Sequence, residues 1–187
     1  MKTGFGNKIL IAALFVIVAV TFTVRVSGQT TMGILPVNTS AVNSAVLNVQ
    51  QWQGISSKMH DYLVAQLAGV GAVSKLSREH ILLLLKEIPA PDPENLDAEA
   101  YKIISKKEKL HYLLKSSVES IQVTGKNVLA HLRVIIVDGN TGKVFWEDVI
   151  KTNRVVSSPA VTEKILLEEV FNPSINEISK EIITLKY

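Results

Sequence analysis

The segment 111–152, HYLLKSSVESIQVTGKNVLAHLRVIIVDGNTGKVFWEDVIKT, divides into three apolar runs separated by turns that contain glycine. Runs rich in Val, Ile, Leu and Thr and bounded in this way read as strands: His111 to Val123, Val128 to Val137 and Lys143 to Thr152. Gly125-Lys126-Asn127 joins the first pair, and Asp138-Gly139-Asn140-Thr141-Gly142 joins the second. Glycine supplies the positive φ that tight hairpins need, and joins this short force antiparallel pairing. His131 and Arg133 alternate with Leu132 and Val134, so they share the more polar face of their strand. Phe145 and Trp146 are adjacent and must point to opposite faces; burial of both is expected if helices cover both sides.

The chain before this meander follows another pattern. Met32 to Val37 is a short apolar run, as in a strand covered on both faces, and Pro36 suits its end. Asn38 to Gln51 is polar and reads as a loop. From Gly54 a helix is expected, with Ile55, Met59, Tyr62, Leu63 and Leu67 on one face at 3.6-residue spacing, closed by Gly69 and Gly71. Ala72 to Leu76 reads as a second strand. A helix separates it from the first, so the two should lie parallel. Ser77 is an N-cap for a helix Arg78 to Ile88, whose run Ile81 to Leu85 predicts deep burial. Pro89, Pro91 and Pro93 stop it, and a short helix from about Asp97 to Glu108 follows. Beyond the meander, Pro159 suits a first helical position, giving helices Pro159 to Phe171 and Pro173 to Leu185. The expected fold is α/β: a mixed sheet of about five strands, two parallel through a crossover helix and then an antiparallel meander, with helices packed on it in two or three layers.

Residues 1–28 have the parts of a secretory signal. Lys2 and Lys8 form a positive start, Ile9 to Val24 carry no charge, and Val26-Ser27-Gly28 supplies a cleavage site. Cleavage before Gln29 leaves 29–187 as a single α/β domain, periplasmic or secreted. Arg25, just after the apolar run, leaves the alternative of an uncleaved N-terminal anchor, which is then the sole expected route to the membrane. The chain has 20 Lys and Arg against 17 Asp and Glu. Three of the cations, Lys2, Lys8 and Arg25, lie in 1–28 with no acid beside them, so 29–187 is formally neutral. The basic isoelectric point belongs to the signal and is no argument for nucleic acid. Cysteine is absent, which excludes disulfides, thiolate zinc sites, a cysteine nucleophile and the acylated N-terminus of a bacterial lipoprotein. An exported chain without disulfides relies on its core, and a domain of about 150 residues buries roughly 70% of its unfolded surface.

No catalytic constellation emerges. His60, His80, His111 and His131 lack metal-site spacing, and a solvent-exposed or locally satisfied role is expected for each. Gly69-Val70-Gly71 lacks the third glycine of a dinucleotide loop and follows a helix where a strand is needed. Neither a Gly-x-Ser-x-Gly elbow nor a Walker lysine occurs, and Glu168 with Glu169, or Asp92 with Glu94, read as surface carboxylates. No cofactor and no enzymatic activity is expected. Open α/β sheets bind ligands beyond the carboxyl ends of their strands. That rule selects the loop after the first strand and the residues after the second: Asn38, Thr39, Ser40 and Arg78 are the candidate partner- or ligand-binding residues, with an ordinary surface loop and a structural arginine as the alternative.

The strand Gly33 to Asn38, the following helix, the strand running into Arg78, and the pair Leu132 to Asp138 with Thr141 to Trp146 together form a pattern. It resembles the curli assembly and secretion component (CsgG-like) superfamily, with the TolB N-terminal domain and the lipoprotein activators of penicillin-binding proteins as relatives. The resemblance spans nearly all of 32–155, and this chain would be a non-lipidated member. It lacks a glycine that the family usually has near Ser116 or Ser117. The join at Gly125 to Asn127 is too short to supply a membrane-spanning hairpin, so a curli-type pore is not expected. The resemblance implies a non-enzymatic envelope protein acting in binding, scaffolding or assembly, its partner an envelope protein or a second copy of itself. A small-ligand or nucleotide-binding periplasmic module is the alternative. A secreted hydrolase would rest on location alone.

Overall fold

A computed structural model describes residues 30–42, 46–69, 71–88, 92–93 and 95–185. The expected signal segment 1–28, with Val70, Pro89, Pro91 and Glu94, lies outside the described residues. In chain order the elements are β1 (Thr31–Ile34), a 3-10 turn (Ser40–Val42), α1 (Val49–Leu67), β2 (Ala72–Lys75), α2 (Arg78–Leu84), α3 (Ala98–Glu108), β3 (Tyr112–Thr124), β4 (Asn127–Asp138), β5 (Val144–Val155) and α4 (Glu163–Ile165). A π-helical turn (Leu166–Phe171) then leads without a break into α5 (Asn172–Thr184).

The fold is α/β, with one mixed five-stranded sheet ordered β2-β1-β3-β4-β5. β1 pairs parallel with β2, as expected, and also with β3. β3, β4 and β5 form the antiparallel meander. Two core clusters occupy opposite faces. On one, α1 and α5 bury Ile55, Met59, Leu63, Ile175 and Ile178 against Ile34, Leu114, Val118 and Leu132. On the other, α2 and α3 set Ile81, Leu85 and Ile104 against Leu35, Leu113 and Val137. The second cover reaches Val137 and Ile135 of β4, and beyond it that face carries Arg133 and His131. There Arg133 bridges Glu119 at 3.4 Å and Glu147 at 2.5 Å, which accounts for the polar alternation of β4.

Four details differ from the sequence pattern, each for a local reason. Helix α1 starts at Val49, ahead of Gly54, because Asn48 and Gln51 close a capping box: Gln51 N–H donates to Asn48 Oδ1 at 2.9 Å and Asn48 N–H to Gln51 Oε1 at 3.0 Å. Helix α2 ends at Leu84 and is not deeply buried. Each residue turns the helix by about 100°, so Ile81 and Leu85 face the core while Leu82 is 39% and Leu83 68% exposed. The C-terminal helix begins at Glu163, capped by Thr162, and Pro159 stands outside it. It then runs through Pro173, since the preceding π turn shifts the register: Asn172 N–H donates to Leu167 O. Proline lacks an N–H, and a π turn is a known way to absorb such an interruption. Finally, Trp146 is half-buried against the core, but Phe145 is 44% exposed. The β4–β5 register shifts between Ile136 and Val137, leaving Phe145 as the extra residue of a bulge. Its ring leans on Tyr112 with centroids 5.2 Å apart.

Both glycine turns form as read. Gly125 takes φ 61 in the β3–β4 turn and Gly142 φ 68 before β5. Asp138 organises the second turn by accepting from Asn140 N–H, Thr141 N–H and the Thr141 hydroxyl, and these donors hold its carboxyl below the usual range.

Candidate functional site

Two connections meet beyond the carboxyl ends of β1 and β2. β1 leads into α1 on one face of the sheet, and β2 leads into α2 on the other, so the strand order reverses around β1. Such a switch point opens a crevice between diverging loops. Here it holds a cleft of about 510 Å³. Asn38, Thr39 and Ser40 form one rim, Ser77, Arg78 and Glu79 another, and Trp52, Ser56 and His60 of α1 the inner wall. Lys75 and Lys115 also line it. The structure thus brings together all four residues selected from sequence, which lie on two separate connections.

The rim is anchored by the backbone. Asn38 N–H donates to Ser116 O at 2.9 Å and Val118 N–H to Asn38 O at 2.8 Å, an isolated parallel bridge that extends β1 along β3. Asn38 Oδ1 accepts from Ser40 N–H at 2.8 Å, turning the chain into the 3-10 turn. From α1, the Ser56 hydroxyl donates to Val37 O at 2.5 Å and His60 to Ile34 O at 2.9 Å. A carbonyl only accepts, so Nε2 of His60 carries the proton. His60 is 4% exposed, and burial pushes its pKa below the ordinary histidine value. It is a neutral strut between helix and strand.

The charged groups of the cleft are unevenly satisfied. Lys75 pairs with Asp61 at 2.5 Å. Glu79 is held low by its own N–H and the Ser77 hydroxyl. Lys115, half-buried on β3, is pushed down mainly by burial, then by the charge of Arg133, with Asp92 opposing. Trp52 is 3% exposed; its ring meets Phe171 edge-on at 6.3 Å, and its buried Nε1 has no hydrogen-bond partner among the described residues. The sequence reading did not select Lys115, Lys75 or His60. The place of Trp52 in the wall follows from α1 starting at Val49, ahead of Gly54. Strand alternation was the one signal available for Lys115.

Elsewhere the polar groups have structural work. Ser157 donates N–H and hydroxyl to Glu169 at 2.7 and 2.5 Å, fixing the approach to the C-terminal helix. His80 bonds Glu108 at 2.9 Å and His111 meets the Thr31 hydroxyl at 2.8 Å, both locally satisfied. A recess of about 680 Å³ lies beside Lys106, Lys109 and His111. It sits at the C-terminal end of α3, where Lys106 and Lys107 complement the helix dipole. Among the described residues, no cluster of His, Asp and Glu could hold a metal, and no helix is long and apolar enough to cross a membrane.

No family model matches the chain, and no curated protein matches it by sequence. Solved structures are similar in fold. Lipoprotein GNA1162 from Neisseria meningitidis matches with a TM-score of 0.50 and 12% identity, over 81% of this chain and 99% of that one. The LpoB C-terminal domain from Escherichia coli matches with a TM-score of 0.44 and 17% identity, over 72% and 92%. The PelC dodecamer from Paraburkholderia phytofirmans matches with a TM-score of 0.47 and 9% identity, over 80% and 86%. At such identities the likeness concerns the fold alone. With the Neisseria lipoprotein the chain shares its fold.

Proposed function

We propose that residues 29–187 form an exported, non-enzymatic envelope protein that binds a partner as a scaffold or assembly accessory. In this reading the chain is a non-lipidated relative of the curli-type superfamily. Residues 1–28 direct it to the periplasm or beyond, and are either cleaved or retained as an anchor. The observation that carries the reading is the cleft, on which Asn38, Thr39, Ser40 and Arg78 converge. The shared fold with a Neisseria lipoprotein supports the class of protein, and the apolar run of 1–28 supports the compartment.

The test is crosslinking in intact cells through a photoreactive residue at Ser40 or Arg78, followed by identification of the captured species. Capture of a discrete envelope protein, or of a second copy of the chain, is expected. Failure at both positions while the protein remains folded and exported would refute the reading. N-terminal sequencing of the exported protein distinguishes a start at Gln29 from a retained anchor.

A small-ligand or nucleotide module is the second reading, because about 510 Å³ falls within the range of small-molecule sites. Thermal shift against a metabolite panel tests it: a ligand at 100 times its dissociation constant adds about 2.7 kcal/mol. A flat response across the panel counts against it.

A further inference from the structure

The sheet has two edges, and they differ in what they offer a partner. β2 is four residues long, a short edge of the kind that resists pairing. β5 has 12 residues, Val144–Val155, with no proline and with its register shift at its start. Residues of an antiparallel pair exchange both backbone bonds or neither, in alternation. Val156 N–H donates to Lys126 O at 2.8 Å, one step beyond the pair of Asn127 with Val155. The even-numbered residues of β5 therefore turn their backbone groups to β4, and Glu147, Val149, Lys151 and Asn153 turn theirs outward. Val149 agrees with this phase, since its N–H donates to Asp148 Oδ1 at 2.8 Å.

The side chains of these outward residues point to the α2 and α3 side of the sheet, where that cover includes no residue of β5. Glu147 bonds Arg133 there, and Arg133 also meets Glu119. Lys151 is exposed and has no partner among the described residues. A lysine on an edge strand is a common guard against pairing, but its position relative to Glu147 makes it selective. Glu147 and Lys151 stand symmetrically about Val149. Two copies of β5 set antiparallel about Val149 place each Glu147 opposite the partner's Lys151, twice over by symmetry. An axis at Glu147 or at Lys151 sets like charges opposite each other, which destabilises. An axis at Asp148 or Ile150 leaves both charges unmatched.

We propose that the β5 edge is the contact surface for a second copy of this chain, paired antiparallel about Val149 so that the two sheets join. The charge row Glu119, Arg133, Glu147 then continues into the partner's Lys151. Asp148 occupies the Val149 N–H of the single chain, and the partner's Val149 carbonyl takes its place. No residue of β5 lines the cleft, so this surface stands apart from the reading above.

Sedimentation velocity of the chain purified after export measures its mass in solution, and a dimer is expected. Lys151→Glu and Glu147→Lys each set like charges opposite each other at both symmetric positions, and each should weaken the dimer about tenfold or more. An equimolar mixture of the two variants matches the charges again and should recover the dimer. The chain has no cysteine, so Val149→Cys introduces a single thiol. Directly opposite residues of this kind have Cα atoms about 5.5 Å apart, within disulfide reach, and oxidation should link the two copies. A parent chain that stays monomeric up to about 1 mM, the range of weak specific affinities, overturns the proposal. So does a dimer that survives both charge variants, a mixture that stays monomeric, or a dimer in which Val149→Cys forms no disulfide. The parent's mass is read on the unmutated chain and does not depend on a variant folding. If the parent is monomeric while crosslinking at Ser40 captures a partner, recognition by the cleft stands and the β5 assignment falls.

Discussion

The two turn glycines allow a paired measurement that separates backbone strain from tertiary contact. Gly125 and Gly142 have nearly the same φ, 61 and 68. A Cβ at Gly125 meets nothing within 4 Å. At Gly142 it would lie 2.9 Å from both C and Cα of Ala98, at the start of α3, and closer still to Ala98 O. An L-residue in the left-handed region costs about 1–2 kcal/mol. Alanine recovers about 0.4–1 kcal/mol by restricting the unfolded chain. Gly125→Ala should therefore cost about 1 kcal/mol. Gly142→Ala bears the same strain plus overpacking of about 1–3 kcal/mol, because carbon contacts prefer about 3.5–4.0 Å. The total is about 3 kcal/mol, and the difference between the variants about 2. In urea, with a slope of about 2 kcal/mol/M, that difference separates the midpoints by about 1 M. Urea titrations followed by circular dichroism measure both variants, with the slope checked for constancy. If the two lie within about 0.5 kcal/mol of each other, the β4–β5 turn is not held rigidly against Ala98, and the reasoning fails.

Three further outcomes follow from the same structure. Asn48→Ala removes the cap that starts α1 at Val49 and should cost about 1 kcal/mol in urea; a neutral result would return the helix start toward Gly54. Ile81→Ala should cost about 2–5 kcal/mol, whereas Leu83→Ser should stay within about 0.5 kcal/mol, since Ile81 is fully buried and Leu83 is 68% exposed. Thermal melts of the two variants compare them directly, and equal losses would contradict the one-sided packing of α2. His60 has a folded-state pKa below 6.5 because burial disfavours its charge. Its contribution is therefore complete above pH 6.5 and is lost as pH falls toward the folded value, because the unfolded chain takes up the proton first. Relative to His60→Gln, which keeps a donor for Ile34 O, the parent should lose up to about 1.4 kcal/mol per pH unit on acidification. Urea midpoints from about pH 8 to about pH 5 read this difference, and parallel profiles would exclude a buried neutral imidazole.

Much of the architecture was legible in local pattern, because strand pairing and turn geometry depend on neighbours in the chain. The period of residues 111–152 and its two glycine turns lead directly to the β3–β4–β5 meander. The helix between Met32 to Val37 and Ala72 to Leu76 requires their parallel pairing. The carboxyl-end rule pointed to Asn38, Thr39, Ser40 and Arg78, and these four residues do meet in one cleft. What local pattern could not decide depends on what stands opposite each side chain. The run Ile81 to Leu85 carries equal hydrophobicity at every position, yet the single sheet face beneath it buries Ile81 and Leu85 and leaves Leu83 in water. Phe145 loses its place in the alternation because a bulge against β4 inserts it, and a bulge is a property of the pair of strands. Pro173 continues a helix because the π turn before it changes the hydrogen-bond register. The same holds for the cleft: Lys115 lines it from β3 and Trp52 from α1, elements distant in sequence that only the packed fold brings to one edge of the sheet.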